Sequence, residues 1–381
     1  MSFDVVIVGG GCMGASVAFH LARLGVTNVV LLERESQLGT ASTGRNAGGV
    51  RHQFSQEANV RLSIESIAMF QDFDAIVGSP IDCHQDGYLF LLSDAAHVDA
   101  FRAAREMQQR LGVAVDWIDA SAASKLIPGL ETDGILAATF CARDGIADPN
   151  GVTMGFASAA RRAGVEIRRG VEVTAIERDA RGVSAVRTSE GTIPTRVVVN
   201  ATGAWAAKIG AMAGVPLPIW PLRRHIFIAA PPTAGWTFDK RTLVIDFASS
   251  FYFHREGANL LFGMADPAET PSFDTTVNWR MLEEIAPVAA RRLPALSDAS
   301  IAKAWAGLYE MTPDAMPIIG PAGVDGLFAI AGFSGHGFQH SPAAGRILAD
   351  VIAGRDPQFD LSPFRYDRFE AGGVTSELGV V

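Results

Sequence analysis

Three glycines near the start of the chain are spaced to bind a dinucleotide. Gly9, Gly11 and Gly14 form a G-x-G-x-x-G pattern between an apolar run, residues 4–8, and a helix-like segment. The first glycine permits a tight turn, the second admits a pyrophosphate close to the backbone, and the third lets the helix pack against the sheet. Glu33 ends a second apolar run about twenty residues on, where a carboxylate can accept hydrogen bonds from ribose hydroxyls. We therefore predict a Rossmann-like dinucleotide site.

Three further stretches rich in small residues favour FAD over NAD. The strand-like run 197–200 ends in the sequence ATG, residues 201–203. The loop 39–55 is rich in Gly, Ser and Thr, and loops of this length are uncommon unless they are functional. The stretch 332–340, GFSGHGFQH, places three glycines between a predicted strand and a predicted helix. A nicotinamide enzyme with one Rossmann unit needs none of these, whereas the tricyclic flavin ring needs contacts from several segments.

The length and composition suit a two-domain protein. The chain has 381 residues, of which 48% are hydrophobic, so it can bury a substantial core. Its formal net charge of −9 argues against nucleic acid, since phosphate binding needs clustered positive charge. Cys12, Cys83 and Cys141 show no paired or metal-ligand spacing, so we expect no metal and a reducing, cytoplasmic location. We expect no transmembrane segment, because Gly, Pro or a charge breaks every long apolar run.

Five segments together point to one family. They are VVIVGGGCMGAS with LLERE (5–16 and 31–35), STGRNAGGVRHQFSQEANVRLS (42–63), VVVNATGAW (197–205), AWAGLYEMTPDAMPIIGP (304–321) and AGFSGHGFQHSPAAGRILAD (331–350). In these segments and their order, the chain resembles the D-amino-acid-oxidase-type family of FAD-dependent oxidoreductases. It is most similar to the branch that contains the sarcosine oxidase and proline dehydrogenase β-subunits and glycine oxidase.

The resemblance implies an α/β fold, α+β overall, in which a Rossmann-like FAD-binding domain is interleaved with a mixed-sheet substrate domain. The implied ranges are 1–78, 142–214 and 305–368 for the FAD-binding domain, 79–141 and 215–304 for the substrate domain, and 369–381 for a flexible tail. Local patterns predict strands over 86–92, 223–230, 250–256 and 259–263. They also predict a helix over 94–112 capped by Ser93, and another that begins at Ser341 with Pro342 in its first turn.

The resemblance also implies which residues contact FAD. They are Gly9, Gly11, Cys12, Met13, Gly14, Glu33, Arg34, Ser42, Thr43, Arg45, Asn46, Ala47, Gly48, Gly49, Val173, Ala201, Thr202, Gly203, Trp205, Gly307, Gly332, Phe333, Ser334, Gly335, His336, Gly337 and Phe338. The stretch 332–338 would lie along the flavin ring near its pyrimidine end. The positive end of the following helix would then stabilise negative charge on the reduced ring.

The family's usual reaction takes a hydride from the carbon beside an amine nitrogen and gives an imine that hydrolyses. We expect the substrate to be a small secondary amine or a glycine-like or proline-like amino acid. Arg51 lies where family members place a carboxylate-binding arginine, although it could instead be a surface residue. Tyr252 could donate to the same carboxylate or belong to the core, and His52 could tune protonation of the amine. His336 could act chemically or serve only as a hydrogen-bonding filler.

Three positions depart from single-chain sarcosine oxidases. Gly307 replaces the cysteine that links the flavin, Gln339 replaces a lysine that helps to hold the substrate carboxylate, and Leu261 replaces a lysine that promotes reaction with oxygen. These differences favour a dehydrogenase over an oxidase, with electrons passing to an acceptor partner or a partner subunit. Two alternatives stay open: an FAD-dependent dehydrogenase of 2-hydroxy acids or polyols, and a non-catalytic FAD-bearing assembly factor or subunit.

We predict that FAD is bound without a covalent link, because Gly307 offers no nucleophile at the family's attachment position. Acid or heat precipitation of the purified protein should leave the yellow colour in the supernatant. Colour that stays with the pellet would contradict a non-covalent site.

Overall fold

Two large sheets organise the protein, for which a computed structural model describes residues 2–370 and 376–379. The strands are β1 Val5–Val8, β2 Val29–Glu33, β3 Gly49–Val50, β4 Cys83–His84, β5 Tyr88–Leu92, β6 Asp116–Ile118, β7 Ala137–Cys141, β8 Gly145–Ala147, β9 Glu166–Arg169, β10 Val173–Asp179, β11 Gly182–Thr188, β12 Gly191–Pro194, β13 Val197–Asn200, β14 Trp220–Ala229, β15 Leu243–Asp246, β16 Phe251–Glu256, β17 Asn259–Met264, β18 Ile301–Met311, β19 Ile318–Pro321 and β20 Leu327–Ala331.

Helices cover the first sheet and flank the second. The α-helices are α1 Cys12–Arg23, α2 Glu57–Gln71, α3 Phe73–Val77, α4 Ala95–Arg110, α5 Ala120–Leu126, α6 Pro149–Arg162, α7 Ala206–Met212, α8 Arg280–Arg292 and α9 Gly337–Ile352. Short 3-10 helices lie at Thr43–Arg45, Gly203–Trp205, Pro294–Asp298, Ser362–Phe364 and Tyr366–Phe369. No helix in the described part of the chain is long and apolar enough to cross a membrane.

The first sheet has six strands in the order β19-β20-β13-β1-β2-β9. Every neighbouring pair is parallel except β19–β20, which is antiparallel. β1 and β2 are continuous apolar runs whose residues are almost all buried, as expected for central strands covered on both faces. Helices α1, α6 and α9 pack on one face, and the small sheet β10-β11-β12 covers the other. The carboxyl ends of β1 and β13 therefore meet at one edge.

The second sheet has eight strands in the order β18-β14-β17-β16-β15-β5-β7-β6, and β15–β5 is its parallel pair. The four strands predicted over 86–92, 223–230, 250–256 and 259–263 correspond to β5, β14, β16 and β17, all in this sheet. The mixed α/β architecture predicted from the sequence is confirmed. The predicted division into two domains remains a proposal, and β18 crosses its boundary at residue 305.

Two helix starts differ from the sequence prediction. α9 begins at Gly337, one turn before the predicted cap Ser341, so that Pro342 lies inside the helix. Proline has no N–H to donate to the carbonyl four residues back, and the Ser341 hydroxyl donates to that carbonyl, of Phe338, at 2.8 Å. α4 is capped by Asp94 instead of Ser93, with its carboxylate accepting from the backbone of the first turn.

Part of the predicted tail lies outside the described residues, namely 371–375, 380 and 381. The described part, 376–379, is packed against the protein. Glu377 is 4% exposed and its backbone N–H donates to the carbonyl oxygen of Asp314 at 2.9 Å. Composition alone indicated a loose segment because it does not show this long-range contact.

Candidate active site

One elongated cavity of about 350 Å³ lies between the carboxyl ends of β1 and β13 and one face of the second sheet. Ile226 of β14, Ile245 of β15 and Tyr252 of β16 form part of the sheet side. The predicted site residues that line the cavity are Gly9, Gly11, Cys12, Met13, Glu33, Arg34, Ser42, Thr43, Arg45, Asn46, Ala47, Gly49, Arg51, Val173, Ala201, Thr202, Gly203, Trp205, Tyr252, Gly307, Ser334, Gly335, His336, Gly337, Phe338 and Gln339.

Four residues predicted to contact FAD lie behind the cavity wall. Gly14 serves packing, because a Cβ there would stand 1.9 Å from a carbonyl oxygen of the glycine loop. Gly48 and Gly332 have φ of 75° and 85°, a backbone conformation that favours glycine. The Phe333 side chain is fully buried in the core. These four residues shape the wall without forming its surface.

The turn after β1 forms one end of the cavity from backbone alone. A Cβ on Gly9 would stand 2.4 Å from the carbonyl oxygen of Ala201, so the two segments meet with no space for a side chain. Glu33 Oε2 accepts a hydrogen bond from the Gly10 N–H at 2.8 Å, which holds the carboxylate beside the turn. The motif predicts a pyrophosphate and a ribose here, next to the N-terminus of α1.

Hydrogen bonds fix the loop predicted over 39–55 to elements on both sides of the cavity. Ser42 and Arg45 donate to carbonyl oxygens of β18 at 2.7 and 2.8 Å. The Thr43 hydroxyl accepts from the backbone N–H of Cys12, the first residue of α1, at 3.2 Å. Through this loop the bonds connect β18 of the second sheet with the start of α1, which explains why so long a segment contains little regular structure yet is fixed in place.

The turn between β20 and α9 forms the opposite wall. A Cβ on Gly335 would stand 2.4 Å from the Tyr309 ring, so this position has no space for a side chain. Ser334 has φ of 50°, a strained backbone conformation for a residue other than glycine. No side chain caps the N-terminus of α9, and Gly337 and Phe338 at its start line the cavity. The positive end of this helix therefore faces the space.

A buried cation lies at this end of the cavity. The Arg51 side chain donates to the carbonyl oxygens of Gln53 and Gly379 and lies 4.0 Å from the centre of the Phe54 ring. Its backbone N–H donates to Gln339 Oε1 at 3.0 Å. Arg51 is 5% exposed, yet no Asp or Glu among residues 2–370 and 376–379 forms an ion pair with it. Burial lowers the pKa of its guanidinium.

Three tyrosines surround the same space, of which the sequence indicated only Tyr252. Burial raises the pKa of the phenols of Tyr88, Tyr252 and Tyr309, so each keeps its proton at neutral pH. Arg224, also missed, lies 5.0 Å from the centre of the Tyr309 ring, and its buried Nε has no described partner. No local sequence pattern indicates these residues, because the sheet register brings them together from separate strands.

His336 lines the cavity as predicted, but its surroundings favour the neutral ring. Burial lowers its pKa to about 4, and its Nε2 contacts the carbonyl oxygen of Ala315 at 3.2 Å. Its edge-to-face contact with Phe54 adds to an apolar environment. A protonated His336 is therefore not the cation of this site at neutral pH.

His52 lies behind the wall in a polar network. Its Nδ1 is 2.6 Å from Asp144 Oδ1, and its backbone N–H donates to the same oxygen at 2.8 Å. Gln53 donates to Asp144 Oδ2 at 3.1 Å. Ligand atoms of His52, Cys141 and Asp144 lie within 4.8 Å of one another, a spacing that could suit a metal. We assign the group a structural role, because both carboxylate oxygens already accept hydrogen bonds.

Glu310 is a cavity residue that the sequence did not reveal. Its Oε1 accepts weakly from the Phe333 N–H at 3.4 Å, whereas its buried Oε2 has no described partner. A Cβ on Gly203 would stand 3.4 Å from that Oε2. Burial raises the pKa of the Glu310 carboxyl to about 7. The carboxyl therefore lies between the two walls with one oxygen open to a bound hydroxyl.

The fold and the cavity together define a flavin-dependent oxidoreductase. Residues 4–351 match the sequence profile of the family described as FAD dependent oxidoreductase, abbreviated DAO. The chain belongs to this family, and its predicted membership is confirmed.

Named relatives agree with that assignment. The chain is 30% identical over 389 residues to mitochondrial dimethylglycine dehydrogenase of Rattus norvegicus, covering 96% of this chain but 45% of that protein, so it spans about half of that relative's length. It is 29% identical over 382 residues to sarcosine oxidase subunit beta of Rhizobium meliloti (strain 1021), covering 99% and 91%. The crystal structure of L-proline dehydrogenase from P. horikoshii superposes with a TM-score of 0.90 at 33% identity, covering 98% and 99%.

The cavity fits the cofactor of this family, and the prediction of FAD is confirmed. Gly9 and Gly11 line the cavity with backbone at the position where the motif binds a pyrophosphate, and the Glu33 carboxylate lines it beside them. The unpartnered Oε2 of Glu310 is placed to accept from a hydroxyl of the linker between pyrophosphate and ring. The start of α9 offers unpaired N–H groups at the other end.

Glu310 should make the flavin-free protein less stable as the pH rises. The pKa of its carboxyl is about 7 in the folded protein and 4.5 ordinarily, so the folded protein binds more protons than the unfolded chain between these pH values. The free energy of unfolding therefore falls as the pH rises through this range. Glu310→Gln should therefore stabilise the protein by roughly 1–3 kcal/mol at pH 8 and by little at pH 4.5. Urea unfolding of both proteins at several pH values measures the difference. A difference that does not change with pH would contradict this account.

Proposed function

We propose that the protein oxidises the C–N bond of a small amine that carries a carboxylate, such as a secondary amino acid or a glycine-like or proline-like substrate. The observation that carries the proposal is Arg51, a buried cation on the cavity wall without a carboxylate partner in the described residues. An unpaired buried charge is costly, and an anionic ligand offsets that cost. Arg292, by contrast, is equally buried but pairs with Asp246 at 2.7 Å, so its charge is already compensated.

The chemistry that FAD would supply when bound is acceptance of a hydride from the carbon beside the nitrogen, which would leave an imine that water hydrolyses. Arg51 has five N–H donors, and its two bonds to carbonyl oxygens leave donors for the substrate carboxylate. The protonated phenols of Tyr88 and Tyr252 can donate to the same group. Ile226 and Ile245 form an apolar wall that excludes water and strengthens these contacts.

Two other functions are consistent with parts of this site. A 2-hydroxy acid also has a carboxylate for Arg51, and an FAD-bearing assembly factor or subunit would need the cofactor but no substrate. Anaerobic mixing of the holoprotein with amino acids and with the matching 2-hydroxy acids distinguishes the proposed amine oxidation from these two alternatives. We expect loss of flavin absorbance with amino acids alone. Bleaching by 2-hydroxy acids alone, or by no compound, would overturn the proposal in favour of one of the alternatives.

Loss of the Arg51 cation should weaken the binding of carboxylate substrates and lower their kcat/KM. Arg51→Ala removes a charge-assisted contact of roughly 1.5–3 kcal/mol, which corresponds to about a ten- to hundredfold lower kcat/KM. Arg61→Ala is a matched control, because Arg61 is exposed and pairs only with Glu57 on the surface of α2. Steady-state kinetics and the flavin content of each variant measure the effect. Unchanged kinetics in Arg51→Ala would reject the assignment.

We also propose that the protein is a dehydrogenase that passes electrons to a carrier, a quinone or a partner subunit. A fixed positive charge near the flavin helps reduced flavin react with oxygen. Leu261 is buried among Ile226, Ile228 and Tyr252, so this position is apolar. The one lysine on the cavity wall, among the described residues, is Lys208 on the helix that follows the β13 turn, and Arg45 and Arg51 on the same wall are the other cations that could supply this charge. A cytoplasmic location remains a prediction from the sequence.

Reduced enzyme should therefore react slowly with oxygen. Stopped-flow mixing of substrate-reduced protein with air-saturated buffer is expected to show reoxidation much slower than turnover with an artificial dye. Leu261→Lys should accelerate the oxygen reaction, because it restores a cation at that strand position. Reoxidation by oxygen as fast as turnover in the unmodified protein would show that it is an oxidase.

A further inference from the structure

The C-terminal segment Ser376–Gly379 is anchored by one carboxylate. Glu377 Oε1 accepts from the Ser55 N–H and hydroxyl at 2.9 and 2.7 Å and from the Gly379 N–H at 2.9 Å. Its Oε2 accepts from Gln56 N–H at 3.1 Å and from Asn59 Nδ2 at 2.9 Å. The carboxylate thus occupies the N-terminus of α2, where the unpaired N–H groups and the helix dipole favour an anion.

This anchor places Gly379 against Arg51. The Gly379 carbonyl oxygen accepts from the Arg51 guanidinium, so this segment contacts the cation that we assign to the substrate carboxylate. A Cβ at position 379 would stand 3.0 Å from Arg51 Nη1 and 3.2 Å from Glu377 Oε1. The segment therefore fits closely between the anchor and the active-site arginine.

Gly379 also borders two cavities. It lines the main cavity and a second one of about 210 Å³. The second cavity is mainly apolar and includes the side chains of Phe54, Phe101, Phe247 and Leu378. Phe54 stacks on the Arg51 guanidinium, so the second cavity begins directly beyond the substrate arginine. An apolar group attached to a carboxylate at Arg51 would meet Gly379 and Phe54 before it reached this second cavity.

We propose that Ser376–Gly379 is a wall of the substrate site and that Glu377 is the positioning residue that holds it. By closing the second cavity, the wall restricts the site to carboxylates with small substituents. This inference rests on the proposed role of Arg51 in carboxylate binding. It adds a specificity determinant more than 300 residues away from Arg51 in sequence.

The test compares acetate with phenylacetate, which differ by one phenyl ring, as ligands of the oxidised holoprotein. Their dissociation constants are measured from the change that each causes in the flavin absorbance spectrum. Glu377→Ala should improve phenylacetate binding relative to acetate by about tenfold or more, because the ring gains access to apolar surface. Ser376→Ala is the matched control, since Ser376 is exposed and contacts Gln56 through its backbone carbonyl.

Glu377→Gln provides a second variant if Glu377→Ala yields no holoprotein. The glutamine keeps one acceptor oxygen but turns an amide N–H toward the donors of Gln56 and Asn59. We therefore expect phenylacetate binding relative to acetate to improve by less than in Glu377→Ala but by more than in the wild type. A binding ratio that stays at the wild-type value in the folded Glu377 variants, or that shifts equally in Ser376→Ala, would overturn the proposal. Because the measurement needs binding only, its result is distinguishable from a failure of the proposed reaction, which the anaerobic amine panel reports.

Discussion

The site depends on a place where backbones meet without space for side chains. A Cβ on Gly14 would stand 1.9 Å from the carbonyl oxygen of Gly9. A Cβ on Gly9 would stand 2.4 Å from the carbonyl oxygen of Ala201. This close approach brings α1, β1 and β13 to one edge of the first sheet and leaves main-chain N–H groups facing the cavity. Any side chain here would separate the segments and change the position that the motif provides for a pyrophosphate.

Charge placement then gives the two ends of the cavity different chemistry. Glu33 lies at the end formed by the Rossmann turn, where a carboxylate can accept from hydroxyl groups. Arg51 lies at the other end, buried among carbonyl oxygens and aromatic faces, and the carboxylates of Glu377 and Asp144 act on its charge without forming an ion pair with it among the described residues. A cofactor whose hydroxyl groups lie beside Glu33 and an anionic substrate that lies beside Arg51 would provide partners for both charges. The second sheet contributes the apolar face that keeps water from the region between them.

Local sequence patterns were sufficient for much of the fold. The glycine motif, the acid at Glu33 and the apolar runs of β5, β14, β16 and β17 each depend on near neighbours, and the structure contains all of them. The start of α9 was misplaced because Ser341 next to Pro342 resembles a cap, whereas here its hydroxyl repairs an internal gap in the helix. Capping rules describe local preference and cannot exclude such a repair.

The remaining features depend on contacts between distant parts of the chain. Glu310 faces the cavity because β18 lies beside residues 201–203 and the turn before α9. This arrangement is a property of the folded chain and has no local signature in the sequence. The contact of Arg51 with Gly379 joins residues 328 positions apart, and no local pattern in the last residues indicated it. Resemblance to a family located Arg51 and Tyr252, but sheet register was needed to add Tyr88, Tyr309 and Arg224 to the same space.

The most direct test of the central claim is the rate at which an amino-acid substrate reduces the flavin under anaerobic conditions, compared with the same substrate deuterated at the carbons that flank its nitrogen. If a hydride leaves such a carbon while Arg51 holds the carboxylate, the deuterated compound should reduce the flavin several times more slowly, and removal of the carboxylate should weaken its binding. Flavin reduction that is insensitive to both deuteration and loss of the carboxylate would contradict the account.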